Sequence, residues 1–340
     1  MKHQQYAIRP ASWRALIGRL VAHDTRATLT RRQALRLLMA WGSAHGLGTV
    51  AAQAAPAVSP RELRVLTAGD SASSRLLLQA LKLRYPALQA DTDPAALEAR
   101  KGPGVCVTMG PAALRRALGA DVKSPVVSVL TSSQVFRQIV GQDGVPPREH
   151  GSLSAIFADT APATQLQLVA AIFETRITVG VLLSDASAYL EKPLRQAAIQ
   201  YGIELVLEHV APTSDAVRSL TRLRGAQVLL AVPDATLYSP DTLRAILEST
   251  YRRGMPVIGF SAATVAAGTL ATAYPTIDDV AADLSELVDG LPGSGNVSLP
   301  EARHPRYWRV SINDSVARSL GVTMSERVIN MGNYPTGKPG

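Results

Sequence analysis

The sequence predicts an α/β protein built from two doubly wound, Rossmann-like units, and three observations carry that reading. Continuous apolar runs such as Ala226 to Val232 and Pro256 to Phe260 suit strands covered on both faces, as in a parallel sheet. Between these two runs Leu243, Ile246, Leu247 and Tyr251 recur at helical spacing, and the same strand, helix, strand order repeats along the chain. With 340 residues the chain exceeds one average domain, and the alternation breaks at the turn-rich GQDGVPPREHGSLS of residues 141–154.

The first 57 residues read as a leader. Thr30-Arg31-Arg32-Gln33-Ala34-Leu35-Arg36 supplies a basic region, Leu37 to Ala52 a short apolar one, and Ala52-Gln53-Ala54 a small-residue cleavage pattern. The order resembles a twin-arginine export signal, with Ala34 where Phe is usual. The apolar run is broken by Gly42, Ser43, His45, Gly46 and Gly48, so it is poorly suited to span a bilayer about 30 Å thick. The charge pattern agrees with a leader. Eight of the 35 Lys/Arg residues but only one of the 27 Asp/Glu residues fall within residues 1–54, so the +8 net charge belongs to the leader and the body is near neutral. A basic footprint for nucleic acid is missing from the body.

From Arg64 the body follows in order. A strand at Arg64 to Ala68 leads to a helix at Ser73 to Arg84, capped by Ser73 or Ser74 and stopped before Pro86. Gly104 to Met109 is a strand, Pro111 to Leu118 a helix with Pro at a permitted early position, and Pro125 to Leu130 a strand. After the break come a strand near Ser154 to Ala158, a helix from Ala163 to Phe173, and the strand Ile177 to Leu183. The helix Leu190 to Tyr201, the strand Ile203 to Glu208 and the helix Thr213 to Leu223 precede the unit from Gly225 to Tyr274. A helix at Ile277 to Val288, a Pro/Gly/Ser-rich loop at 291–300, the alternating strand Tyr307 to Ile312 and a short helix at Ser315 to Leu320 complete the fold. Residues 330–340 read as a disordered tail.

Several chemistries find no support. There is no Gly-x-x-x-x-Gly-Lys-Ser/Thr phosphate loop, no Gly-x-Gly-x-x-Gly after the first strand and no Gly-x-Ser-x-Gly, which removes the local signatures of ATPases, dinucleotide enzymes and serine hydrolases. Cys106 is the sole cysteine and the six histidines lack ligand spacing, so no metal or other cofactor is expected. What remains is a set of strand-end loops carrying hydroxyls, acids and aromatics. The candidates for ligand contact are Ser71, Ser73, Thr131, Ser132, Asp159, Ser184, Asp234, Thr236, Phe260, Ser261 and Tyr274, with Thr108, Ser133, Thr160 and Asp185 nearby in the same loops. Gathered at one cleft, they would suit a small polar or zwitterionic ligand. Asp159 or Asp234 could accept from an ammonium group, and hydroxyls with helix N-terminal amides could hold a carboxylate. Each hydroxyl or carboxylate at such a junction also has a plain role as a helix cap.

Residues 152–322 resemble the ABC-transporter substrate-binding proteins of the type I periplasmic binding fold, especially members associated with aromatic and other amino acids. The likeness is carried by GSLSAIFADTAPATQLQLVAAIF, ITVGVLLSDASAYLEKPLRQAAIQYGIEL, the VPDAT loop, GMPVIGFSAATVAAGTLATAY and YWRVSINDSVARSLGV, in the family's order. The first lobe matches more loosely, through VTMGPAALRRALG and SPVVSVL. Three departures bear on specificity: Ala235 stands where the family loop has Asn, Thr131-Ser132 where many relatives have Asp-Pro, and Gly259-Phe260-Ser261 where Gly-Ser-Asp is usual.

The resemblance implies two lobes joined by a three-strand hinge, with crossings near Ser154, Gly268 to Tyr274 and Arg306 to Ile312. The lobes would be 58–153 plus 273–305 and 154–272 plus 306–329. It also implies a monomeric, non-catalytic periplasmic protein that closes on its ligand and hands it to an ABC permease and ATPase. The alternative is a periplasmic sensory protein that keeps the fold and signals to a membrane receptor.

Overall fold

The computed structural model describes residues 62–336 apart from 101–103, 143–148, 150, 175, 213 and 294–296. The expected leader, residues 1–57, lies outside them, as do the last four residues of the expected tail.

In the first lobe, strands β1 (Glu62–Thr67), β2 (Ala90–Asp91), β3 (Gly104–Met109), β4 (Val126–Val129) and β5 (Leu153–Ala155) form an all-parallel sheet in the order β2-β1-β3-β4-β5. Helices α1 (Ala72–Arg84), α2 (Pro94–Glu98), α3 (Pro111–Gly119) and α4 (Ser133–Val140) connect them. Alternation along the strands sorts buried residues onto two faces. Val65, Val107 and Val127 pack toward Leu77 and Leu81 of α1. Leu66, Cys106 and Val126 face Leu114 and Leu118 of α3 and Phe136 and Ile139 of α4.

The second lobe holds β6 (Thr178–Leu183), β7 (Glu204–His209), β8 (Val228–Leu230), β9 (Val257–Ile258), β10 (Ala271–Tyr274), β11 (Trp308–Ile312) and β12 (Gly332–Asn333) in the order β12-β11-β10-β9-β8-β6-β7. Pairing is antiparallel at β10–β11 and β11–β12 and parallel elsewhere. Helices α5 (Pro162–Phe173), α6 (Glu191–Tyr201), α7 (Ala216–Ser219), α8 (Pro240–Tyr251) and α9 (Ala262–Ala267) belong to this lobe. The next helix, α10 (Ile277–Asp289), returns to the first lobe, where Leu284, Leu287 and Val288 complete the core around Leu77 and Leu81. Helices α11 (Asp314–Ser319) and α12 (Glu326–Ile329) follow β11.

The chain thus passes between the sheets three times, around 156–161, 275–276 and 303–307. Buried hydrogen bonds tie these passages together. Phe157 N donates to Arg303 O and Arg303 N to Ala155 O, both at 2.9 Å. The buried amide of Gln165 donates to Thr160 Oγ1 at 2.9 Å and Ala273 O at 2.8 Å, and accepts from Ala273 N at 3.1 Å.

Some local expectations change. The helix α4 was not anticipated, although Ser132 caps it and Phe136 and Ile139 are buried at i, i+3 spacing. Likewise α9 starts in a capping box between Ser261 and Thr264 and ends at Gly268, whose φ of +122° an L side chain rarely adopts. The expected helix 213–223 contains only α7, capped by Asp215, followed by a 3₁₀ turn at Leu220–Arg222. The disordered tail expected at 330–340 is corrected over 330–336. Asn333 pairs with Trp308, its Nδ2 donates to Arg306 O at 2.7 Å, and the Arg309 guanidinium lies 4.9 Å from the Tyr334 ring centroid. An edge ladder and a cation–π contact order a segment whose polarity alone suggested none.

Two buried carboxylates on α10 hold the third passage. Asp283 accepts from Arg303 Nη1 and Nη2 at 2.8 and 2.6 Å, from Arg306 N at 2.9 Å and from Arg306 Nε at 2.8 Å. Asp279 accepts from Arg309 Nε at 3.0 Å and Thr276 Oγ1 at 2.7 Å. Burial pushes both carboxyls up, but these donors outweigh it and hold both below the ordinary carboxylate range. A depressed native value means that their stabilisation is complete above the unfolded pKa of about 3.9 and is lost as pH falls through the native values. Asp283→Ala, which removes the shared partner of the partly exposed Arg303 and Arg306, is expected to cost about 1–3 kcal/mol. Urea denaturation of both proteins at pH 7 checks this, and for the wild type an acid titration should show stability falling only below about pH 4.

Candidate ligand-binding cleft

In open parallel sheets the ligand crevice lies beyond the carboxyl ends of the strands, where the strand order reverses. That point falls between β1 and β3 in the first lobe and between β6 and β8 in the second. The two are filled differently.

The first-lobe point is a hollow of about 650 Å³ lined by Ser71, Ser73, Gly110, Pro111, Leu130 and Ala158, among others. Ser71 caps α1 by accepting from Ser74 N at 3.1 Å, and Ser73 sits beside it, exposed. No side chain caps α3, whose N-cap Gly110 has φ +86°. Leu130 is also left-handed, with φ +57°, a conformation that costs a non-glycine residue about 1–2 kcal/mol.

In the second lobe the carboxylate of Asp234 occupies the equivalent point. Its Oδ2 accepts from Ser184 Oγ and Ser187 Oγ, each at 2.6 Å. Its Oδ1 accepts from Thr236 N at 2.9 Å, Thr236 Oγ1 at 2.5 Å and Leu237 N at 3.3 Å. Burial pushes this carboxyl up, and the serine and threonine donors more than offset it, so Asp234 lies below the ordinary range. The structure therefore brings Ser184, Asp234 and Thr236 together as partners of one another.

Between the lobes lies a cavity of about 290 Å³. Ser132, Gln134 and Asp159 line one side, and Ala235, Phe260 and Ser261 the other. Ser132 and Ser261 cap α4 and α9, which places both hydroxyls at the rim. Gly259 precedes Phe260 because a Cβ there would come within 2.7 Å of Thr269 Oγ1. Thr131 and Tyr274 line neither space. Thr131 is buried, with its hydroxyl 3.2 Å from Ser128 Oγ and its carbonyl accepting from Ala158 N at 2.9 Å. Tyr274 stands opposite Arg309 in the β10–β11 ladder.

Asp159 is the junction of the lobes. Its Oδ1 accepts from Ser133 N at 2.6 Å and its Oδ2 from Ser133 Oγ at 2.7 Å, while His304 Nδ1 is 2.9 Å from the Asp159 carbonyl and 3.6 Å from Oδ2. Burial pushes its carboxyl up; His304 and Ser133 oppose this without cancelling it. Ser, Asp and His meet here, yet the serine donates straight to the carboxylate, whereas a hydrolytic triad interposes the imidazole between them. From the same helix, Ser133 Oγ lies 2.9 Å from Tyr189 Oη, the Arg137 guanidinium sits 4.5 Å over the Tyr189 ring, and Gln134 Oε1 accepts from Ala235 N at 3.2 Å. Burial first, and then the charges of Asp159 and Asp234, push the Tyr189 hydroxyl up to about 12, so it stays protonated at neutral pH.

Gln134, Ser187, Tyr189 and Tyr238 were missed by sequence reasoning. The apolar spacing of Val135, Phe136 and Ile139 could have revealed α4 and so placed Gln134 at its first turn; nothing local marks the tyrosines. Among the described residues, no group of His, Cys, Asp and Glu could hold a metal ion. Asp234→Ala strands the donors of Ser184, Ser187 and Thr236, so it is expected to destabilise the ligand-free protein by about 2 kcal/mol. A side chain serving ligand alone would leave the melting temperature unchanged, and thermal unfolding without ligand separates the two cases.

No protein-family model matches the chain, and no curated protein sequence matches it either. Solved structures do. A ligand-free, open substrate-binding protein with adhesive properties from Clostridium difficile aligns with a TM-score of 0.58 at 13% identity, over 79% of this chain and 98% of that one. An ABC domain in complex with L-Trp from Streptococcus pneumonia gives 0.51 at 16% identity, over 79% and 97%. A conserved domain protein from Vibrio cholerae gives 0.51 at 19% identity over the same shares. At such identities the likeness is one of fold, and with the two sheets and three passages described above it gives this chain the type I periplasmic binding fold.

Proposed function

We propose that the protein is an exported solute-binding protein that captures a small polar ligand, of amino-acid size or similar, between its lobes and delivers it to an ABC permease and ATPase. The observation that supports this reading is the 290 Å³ cavity walled by both lobes beside the contacts that join them. Hinge closure would make those contacts and opening would break them. Ligand would meet Ser132, Asp159, Phe260 and Ser261 in the cavity and Ser71 and Ser73 in the adjoining hollow, while Ser184, Asp234 and Thr236 frame the second-lobe loop. The bodies that would move as the two lobes are close to the expected 58–153 plus 273–305 and 154–272 plus 306–329, with β5 (Leu153–Ala155) kept in the first and β10 (Ala271–Tyr274) in the second.

In this reading the leader directs export to the periplasm, and the mature chain works as a monomer without catalysis. One feature accords with it: the order of Ser133, Asp159 and His304 is wrong for a nucleophile.

The test is a thermal-shift screen of the purified full chain against amino acids, small peptides, purines and sugars. A ligand at 100 times its Kd should add about 2.7 kcal/mol of stability. Gln134→Ala, which loses one contact of the closed form, should weaken that ligand by about threefold to tenfold, a net hydrogen bond being worth about 1 kcal/mol. Absence of any shift across the screen overturns the proposal.

A further inference from the structure

The charges of the cleft are all of one sign. Among the described residues lining the cavity between the lobes, Asp159 and Asp234 carry charge and no basic side chain joins them. In the adjoining hollow the charged lining residue is again an acid, Asp70, which Arg75 engages at 2.7 Å from outside the lining. A ligand carboxylate would find no cationic partner in either space.

The two acids of the cavity are not equally provided for. Asp234 accepts from Ser184, Ser187, Thr236 and Leu237, and these donors outweigh its burial. The Asp159 carboxylate is held by Ser133 alone, N to Oδ1 at 2.6 Å and Oγ to Oδ2 at 2.7 Å, while His304 Nδ1 at 3.6 Å is too distant for a hydrogen bond. Each carboxylate oxygen can accept twice, so Asp159 keeps acceptor capacity that Asp234 has spent. For Asp159 burial also outweighs the donors, and a cation beside it would supply what is missing.

Asp159 stands, moreover, where an anion would otherwise go. A helix N-terminus offers free amides to an anion, but at the start of α4 Ser133 N donates to Asp159 and Val135 N to Ser132 Oγ at 3.3 Å. An incoming carboxylate would have to compete with a carboxylate already in place. Next to it is an aromatic ring. Asp159 and Phe260 line the same two spaces, the 290 Å³ cavity and a chamber of about 20 Å³ walled by Leu190, Leu194 and Leu230. An acid and an aromatic ring bordering one space attract a cation by charge and by the quadrupole of the ring.

We propose that the cleft selects a ligand carrying a cationic amine and no carboxylate, the amine seated between the Asp159 carboxylate and the Phe260 ring. This deepens the reading of the cleft as the ligand site and rests on it. Of the two acids that the sequence offers to an ammonium group it assigns Asp159, and it replaces the zwitterion with a simple amine.

The test titrates the full chain calorimetrically with phenethylamine, L-phenylalanine and 3-phenylpropionate, which share an aromatic body and carry the amine, both groups or the carboxylate alone. Any hit of the metabolite screen joins the series. Wild type is expected to bind phenethylamine, or an amine hit, about tenfold or more tighter than its carboxylate-bearing counterparts, as a charge-assisted hydrogen bond would give. Asp159→Asn, which can still accept from Ser133, should weaken the tightest amine by about tenfold or more. Phe260→Leu, which leaves the carboxylate in place and keeps the test open should Asp159→Asn fail to fold, should weaken it by about threefold to tenfold. Tighter binding of L-phenylalanine or 3-phenylpropionate than of phenethylamine, or a tightest screen hit without a cationic nitrogen, overturns the proposal while leaving the cleft as a ligand site. Amine affinity unaltered in the folded variants overturns it too. Wild type that responds neither to these probes nor to the broad screen removes both readings together.

Discussion

The buried carboxylate of Asp283 decides where the chain re-enters the second lobe. Held between Arg303 and Arg306, it fixes the third passage against α10, and Arg303 in turn pairs its backbone with the first passage at Ala155 and Phe157. Gln165 does for the first and second passages what Asp283 does for the third, by bridging Thr160 and Ala273. Buried groups of this kind tolerate only geometries that keep them paired, because an unpartnered charge in the interior is expensive. The three passages between the sheets are therefore held to one another by buried hydrogen bonds.

The two lobes repeat one topology and use it in opposite ways. The reversal of strand order creates a crevice in each sheet. Asp234, Ser184 and Ser187 fill the second-lobe crevice with their own hydrogen bonds. The first-lobe crevice stays hollow, with exposed Ser73 and the uncapped start of α3 at its mouth. Helix α4 reaches from the hollow half onto the filled one through Ser133, Gln134 and Arg137.

Strand and helix order was legible because continuous apolar runs such as Ala226 to Val232 and helical spacing such as Leu243, Ile246 and Leu247 are properties of single segments. The resemblance in residues 152–322 carried the two-sheet fold. Ser132, Asp159, Phe260 and Ser261 come to line one cavity because residues at strand ends and helix caps gather at the same edge of the sheets. The assignment failed to anticipate partnership. Nothing in the VPDAT loop says that Ser184 and Ser187, some fifty residues earlier, will saturate Asp234. Gln134 was lost with its helix, since the turn-rich stretch that follows hid the apolar repeat of Val135, Phe136 and Ile139.

The placement of α10 has a consequence for synthesis. Leu284, Leu287, Val288 and Leu299 share one core with Leu63, Val65, Leu77 and Leu81, more than two hundred residues earlier. Domains usually fold as they emerge, N-terminal part first. Here the first sheet emerges early but has one hydrophobic face covered only by α1 until α10 has been made, while strands β6 to β10 and their helices form a continuous run. The first lobe is thus completed only after β6 to β10 have been made, and until then its valine-rich face lacks part of its cover.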